Sequence, residues 1–161
     1  MTGIFNSIPH SPRSHFQLHF YGAILRLMGY IERMSALGGE SLAAFCRRYP
    51  FLSRYREEID CYLPDAPSAG PVIGRWNAGI AAWEEGCPFH LPLAALGRRE
   101  EVGPQGLAAF LLAGIVEEDS RFGTLLARLQ EPLAARRPTL ELIGQAISSE
   151  NQPGEGRDHD R

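Results

Sequence analysis

The chain has 161 residues, a net charge of -3 and hydrophobic residues at 44% of its positions. That hydrophobic fraction is ordinary for a globular protein, and the acidic balance argues against non-specific nucleic-acid binding by the whole chain. Three cysteines cannot all pair with one another, so we expect reduced thiols and a cytoplasmic protein. We expect no membrane span, because no apolar run approaches the ~18 residues that cross a bilayer. We also expect no signal peptide, because the first residues lack its charged-then-apolar order.

Lysine is absent from the sequence, and every one of the 16 Lys+Arg positions is arginine. A Walker A loop needs a lysine to reach the nucleotide phosphates, so the chain is not expected to be an ATP-hydrolysing motor. It also contains no nucleophile elbow, catalytic Cys/His signature or dinucleotide fingerprint. We therefore predict a non-enzymatic chain with no catalytic residues and no cofactor of its own.

Helical periodicity dominates the N-terminal half. Apolar residues three and four apart predict a first helix, which follows a Pro/Ser/His-rich lead-in: Phe16, Phe20, Ile24, Leu27, Ile31 and Met34. Gly38 and Gly39 end it, and a shorter helix follows. Pro50 can begin a third helix, since proline in the first turn costs no internal hydrogen bond. We assign residues 1–63 to an N-terminal helical module.

A Pro- and Ser-rich stretch at 64–71 predicts a linker, and residues 72–149 then form a second predicted domain. Its first helix carries an apolar stripe made of Ile73, Trp76, Ile80 and Trp83. Gly86, Cys87 and Pro88 end that helix. The fold class predicted for the chain is all-α.

Three short helices with tight turns are predicted at the C-terminal end, which favours a helix-turn-helix-like core. Their apolar positions are Leu107, Phe110, Leu111 and Ile115, then Phe122, Leu125, Leu126 and Leu129, then Leu142, Ile143, Ala146 and Ile147. Asp119 is predicted to cap the second helix and Thr139 the third, because their side-chain oxygens can accept backbone N–H groups. The polar composition of residues 150–161 predicts a disordered tail.

Several motifs occur in a set order in this half: Leu-Pro-Leu at 91–93, the apolar run at 107–116, Arg-Phe-Gly at 121–123 and Arg-Arg-Pro-Thr at 136–139. The series resembles the winged-helix domain N-terminal to the ATPase module in a family of bacterial AAA+ ATPases, some of which are encoded beside phage-tail-like contractile injection systems. The resemblance implies a non-catalytic domain that recruits partners or positions an AAA+ module in cis or in trans. ATP and Mg would then belong to that module. The chain departs from the pattern because no strand pair for a wing follows Ile147.

Protein–protein contact is the use that the resemblance implies. We expect the contact surface in the aromatic-rich N-terminal half, although most of its aromatic residues must first serve the core: Phe16, Phe20, Tyr21, Phe45, Tyr49, Phe51, Tyr55 and Tyr62. A stand-alone adaptor of a contractile injection system is one alternative.

A helix-turn-helix DNA-binding protein is the other alternative. Its contacts, or those to a protein partner, would come from Arg98, Arg99, Arg136, Arg137 and Gln145. The favoured interpretation of these arginines is packing, or pairing with the acidic turn at 117–119. Capping and a solvated turn explain that acidic cluster better than acid/base chemistry does.

Two histidine-containing patterns raise the question of a metal. His15 and His19 would share one helix face, as in metalloprotease metal pairs, but no glutamate lies between them. Two partly exposed histidines near a helix start are therefore the favoured interpretation.

Cys87 and His90 offer two zinc ligands, and a four-ligand site would have to recruit Cys46 or Cys61 from across the linker. The prediction is that the chain binds no metal.

Overall fold

The computed structural model describes residues 3–64 and 69–148, with only the backbone described for residues 69–71. Its described part contains helices and no strands, which confirms the all-α prediction. The helices are α1 Pro12–Ala36, α2 Leu42–Arg48, α3 Pro50–Asp60, α4 Ala69–Glu85, α5 Pro92–Gly97, α6 Gly103–Ala113, α7 Ile115–Glu118, α8 Phe122–Leu129 and α9 Leu140–Ser148. None of them combines the length and the apolarity that a bilayer crossing needs.

Helix α1 lies at the centre of the fold. Ser11 caps it by accepting the backbone N–H of Ser14 at 3.0 Å, and Pro12 occupies its first turn. Every residue from 20 to 31 is buried, because α1 packs against helices from both predicted domains, chiefly α4, α6 and α9. A helix that is buried all round needs apolar residues on more than one face, and Leu18, Tyr21 and Leu25 supply them beside the predicted stripe.

One hydrophobic core spans both sides of the predicted linker. Trp76 on α4 is fully buried, and its Nε1 donates a hydrogen bond of 2.9 Å to the backbone oxygen of Leu18 on α1. Phe122 on α8 meets Phe51 on α3 edge to face, with ring centroids 5.1 Å apart. The division at 64–71 stays a prediction, but α4 already begins within that range and the described parts of both sides share their core.

The connection between α8 and α9 differs from the tight turn predicted there. It occupies residues 130–139, whereas a helix-turn-helix joins its two helices through about 3–4 residues. Pro132 and Pro138 account for the difference, because proline cannot donate a helical hydrogen bond and disfavours helix at the residue before it. The winged-helix detail therefore stays a proposal, and the predicted tail at 150–161 lies outside the described residues.

Candidate functional site

A single side chain organises the connection at 130–139, which we call the Gln130 loop. The amide nitrogen of Gln130 donates to the backbone oxygens of Ala135 at 2.8 Å and of Arg137 at 2.9 Å. Its amide oxygen accepts the N–H of Thr139 at 2.7 Å. These bonds tie both ends of the loop to the last turn of α8, so the loop has a defined shape without regular secondary structure.

Two large aliphatic side chains at the Gln130 loop face solvent. Leu133 within the loop is 69% exposed, and Leu140 at the start of α9 is 87% exposed. Burying such side chains against a partner would be favourable by about 25 cal/mol for each Å² of apolar surface removed from water. The Gln130 loop and the start of α9 therefore each expose one leucine, and the loop backbone that carries the first is held by Gln130.

The aromatic residues of the N-terminal half belong mainly to the core, as was expected of most of them. Phe20, Tyr21, Phe45 and Phe51 are buried in the core, and the other four pack against it partly buried: Phe16, Tyr49, Tyr55 and Tyr62. Rings on α1 and α3 contact the Phe122 ring on α8, among them Phe20 and Tyr55. That this half makes a protein contact stays a prediction.

The Arg136–Arg137 doublet lies in the Gln130 loop, and both arginines contact nearby residues of this chain. Arg137 forms a 2.5 Å ion pair with Glu117, which is the favoured interpretation of the sequence. Arg136 lies over Gly123, where an added Cβ would be 3.4 Å from the Arg136 Nε. An added Cβ would therefore make ordinary van der Waals contact, so Arg136 packs against the Gly123 backbone, and this brings the Arg-Phe-Gly and Arg-Arg-Pro-Thr motifs into contact.

The remaining predicted contact residues lie elsewhere. Gln145 is exposed, and its amide donates to Glu141 at 3.3 Å within α9. Arg98 is exposed and lines a pocket between α4 and α6, and Arg99 is exposed beyond the end of α5. With the long connection before α9, these positions add no support to DNA reading by a helix-turn-helix.

The two predicted caps have different outcomes. The Thr139 hydroxyl accepts the N–H of Leu142 at 3.3 Å, as a cap of α9 does. Asp119 lies two residues ahead of the cap position of α8, which is held by Arg121. Its carboxylate accepts the Arg121 N–H at 3.0 Å and so closes the turn before the helix.

Hydrogen bonds from the Arg121 guanidinium hold the pKa of Asp119 below its usual range. Partial burial opposes that shift, and the Arg121 backbone N–H and the Tyr55 hydroxyl add to it. The turn therefore contains a carboxylate that the fold keeps ionised.

His15 and His19 on α1 converge with Glu84 on α4. The Glu84 Oε1 lies 2.6 Å from the His15 Nε2 and 3.4 Å from the His19 Nε2, and the two Nε2 atoms are 3.1 Å apart. His15 is only 1% exposed, so the expectation of two partly exposed histidines is wrong for that residue. It is buried because its ring stacks on Trp83, with centroids 5.6 Å apart.

The pKa of Glu84 falls to about 2. Burial raises it, and the hydrogen bonds and charges of His15 and then His19 outweigh that effect. The carboxylate is thus ionised across the neutral range and available as a metal ligand.

A pocket of about 290 Å³ opens beside this cluster, and His19 and Glu84 form part of its wall. Its other polar lining comes from Arg26, Asn77 and Arg98, and its apolar lining includes Leu93, Leu107 and Leu111. Glu84 was not singled out from the sequence because the residue is distant from the histidines along the chain. Its neighbour Trp83 belongs to the predicted apolar stripe of α4, but no local spacing pairs Glu84 with the histidines.

Among the described residues, His15, His19 and Glu84 are the one group of three or more metal-type ligands. Cys87 and His90 do not join such a group, and the Cys87 thiol instead donates to the backbone oxygen of Phe89 at 3.5 Å. All three cysteines are free thiols. If a metal is held by the described residues, the histidine–glutamate cluster is where it would bind.

Comparisons with protein families, with curated proteins and with solved structures found no match for this chain. The likeness to the N-terminal domain of AAA+ ATPases therefore depends on the motifs at 121–123 and 136–139 and on the other quoted segments.

Proposed function

We propose that this chain is a non-catalytic recruitment domain of an AAA+ ATPase and that it binds its protein partner through the Gln130 loop and the start of α9. The AAA+ module is in cis or in trans. The observation that carries the proposal is the exposure of Leu133 and Leu140 on a backbone that Gln130 holds in place.

A preformed loop suits recruitment for an energetic reason. Binding through a flexible segment loses conformational entropy when that segment becomes ordered, and this loss subtracts from the affinity. The hydrogen bonds of Gln130 impose that order on the free protein, so little is lost when a partner covers Leu133 and Leu140.

The motifs behind the AAA+ resemblance shape this same surface. Phe122 anchors α8 in the core, Arg136 packs against Gly123, and Thr139 caps α9. A family that used the Gln130 loop for binding would have reason to carry these residue types at these positions.

A stand-alone adaptor of a contractile injection system would use the same surface. The identity of the partner distinguishes that alternative from a recruitment domain of an AAA+ ATPase. DNA binding is not proposed, because Arg137 is engaged with Glu117 and the α8–α9 connection is long.

The test is affinity capture from the native cells with the wild-type chain and with a Leu133→Glu/Leu140→Glu variant. Mass spectrometry should identify a protein partner that the wild type enriches and the variant loses at least tenfold, and this partner should carry a Walker A motif if the module acts in trans. Leu37→Glu is the matched control, because Leu37 is 81% exposed at the end of α1 and should retain the partner. Equal enrichment by all three chains would contradict the proposed surface. A partner set without an ATPase, together with a native gene product that lacks a Walker A loop, would contradict the proposed class.

A further inference from the structure

We propose that His15, His19 and Glu84 form a binding site for a divalent transition-metal ion, with zinc as the first choice, and that a small carboxylate completes the site from the adjoining pocket. This inference goes beyond recruitment and does not depend on it.

The donor atoms are of the right type and nearly at the right separation. Two imidazole nitrogens and one carboxylate oxygen are a ligand set that zinc accepts, at metal–ligand distances of about 2.0–2.2 Å. Tetrahedral geometry at those distances separates neighbouring ligand atoms by about 3.3 Å. The three separations here are 2.6, 3.1 and 3.4 Å. Two of them are within a few tenths of an ångström of that value, and the His15–Glu84 pair would open by about 0.7 Å when an ion enters.

Hydrogen positions give a second reason. Both Nε2 atoms face the same carboxylate oxygen, and an N–H on each would satisfy Glu84. Those two N–H groups would then face one another across 3.1 Å, which is unfavourable. With the proton of each imidazole on Nδ1 instead of Nε2, both Nε2 lone pairs and the Glu84 oxygen can bind a cation, which removes the conflict.

The packing of the fold also holds the three ligand side chains in place before an ion binds. His15 and His19 are four residues apart on α1 and therefore lie on one face, and Trp83 fixes the His15 ring by stacking. Glu84 follows Trp83 on α4, and α1 and α4 pack closely against each other. Ligands fixed by core packing lose little entropy when they bind a metal.

With three protein ligands, a tetrahedral ion has one coordination position open for a further ligand, as in catalytic rather than structural zinc sites. His19 and Glu84 border the 290 Å³ pocket, whose lining contains two cations, Arg26 and Arg98, and no carboxylate besides Glu84. Arg26 is 7% exposed, so its charge acts where water is scarce.

A carboxylate entering this pocket meets the positive charge of the ion and of Arg26 and Arg98. Leucine side chains on α5 and α6 line the same space, among them Leu93, Leu107 and Leu111. The lining therefore fits a small monocarboxylate with an apolar body, and benzoate is a suitable probe.

Isothermal titration of the full chain with zinc chloride tests the metal site. We expect one tight site per chain, weakened at least tenfold in His19→Ala and in Glu84→Gln. A Cys87→Ser/His90→Ala variant is the matched control and should bind as the wild type does. Circular dichroism confirms that each variant is folded, and His19 is chosen because it is less buried than His15. No zinc binding, or loss of binding in the control alone, would overturn the proposal.

Cobalt(II) substitution tests the open position. The visible absorption of a tetrahedral cobalt site should change on addition of benzoate, and Arg98→Ala should weaken benzoate at least threefold without changing zinc affinity. A spectrum that benzoate leaves unchanged would overturn the carboxylate part of the proposal. Neither result bears on partner capture by Leu133 and Leu140, so the two proposals fail separately.

Discussion

The hydroxyl of Tyr55 on α3 donates a hydrogen bond of 3.0 Å to the carboxylate of Asp119 in the turn before α8. Asp119 also accepts from the backbone N–H and the guanidinium of Arg121. This one carboxylate therefore joins segments that lie on opposite sides of the predicted linker. It links α3 to the helix whose end begins the Gln130 loop.

Acid should weaken the fold through Asp119. The folded-state pKa lies below the unfolded value of about 3.9, so the stabilising contribution is present above that value and is lost as pH falls below it. Asp119→Asn should lower the free energy of unfolding by about 1–3 kcal/mol at pH 7 and by less near pH 3. Urea denaturation at both pH values measures this.

Tyr55→Phe is the control for the Asp119 prediction. It removes one hydrogen bond but leaves the Arg121 contacts, so most of the pH dependence should remain. A free-energy difference between the wild type and Asp119→Asn that stays the same at pH 7 and pH 3 would show that the Asp119 charge is not stabilised by the fold.

Gln130→Leu should loosen the Gln130 loop. The change keeps much of the side-chain volume but removes the amide that bonds Ala135, Arg137 and Thr139, which costs about 1–3 kcal/mol. Hydrogen exchange at the Thr139 amide should become faster, because its acceptor is lost. Gln145→Leu, which removes one long bond on an exposed face, should change neither quantity by much. An unchanged Thr139 exchange rate would contradict the role given to Gln130.

The two predicted domains should unfold together. Trp76 on one side of the linker is buried against α1 and bonds Leu18 on the other. Trp76→Phe should lower the free energy of unfolding by about 1–3 kcal/mol and shift the whole transition. Tryptophan fluorescence and far-ultraviolet circular dichroism should report a single coincident midpoint in urea, and two separate transitions would instead support independent domains.

Much of the fold follows from local signals in the sequence. The helical spacing from Phe16 to Met34 predicted α1, Pro50 begins α3 as expected, and the Ile73–Trp83 stripe is the buried face of α4. These signals are local, because helix periodicity and proline chemistry act over a few residues. Gly114 separates α7 from α6, a division that the continuous apolar stripe did not predict.

The partner of the histidine pair could not be found in this way. His15 and Glu84 meet because α1 packs on α4, and that pairing depends on the whole core. A search for HExxH looks only between the histidines, where this chain has Phe, Gln and Leu. Metal ligands contributed by separate helices leave no local spacing to recognise.

Exposure was equally hard to predict for single residues. Phe110 and Leu111 belong to the same predicted apolar stripe of α6, yet the first is 60% exposed and the second is buried. The aromatic residues on α1 and α3 show the reverse case, since tertiary packing covers side chains that composition alone would offer to a partner.

The most direct test of the recruitment proposal is photo-crosslinking in the native cells from a photoreactive amino acid placed at position 140. We predict a crosslink from position 140, and none from position 37, to one protein partner in a complex that contains an AAA+ ATPase, either as that partner or as the rest of the same chain. Crosslinks from both positions to the same proteins, or crosslinks from position 140 to nucleic acid alone, would contradict the proposal.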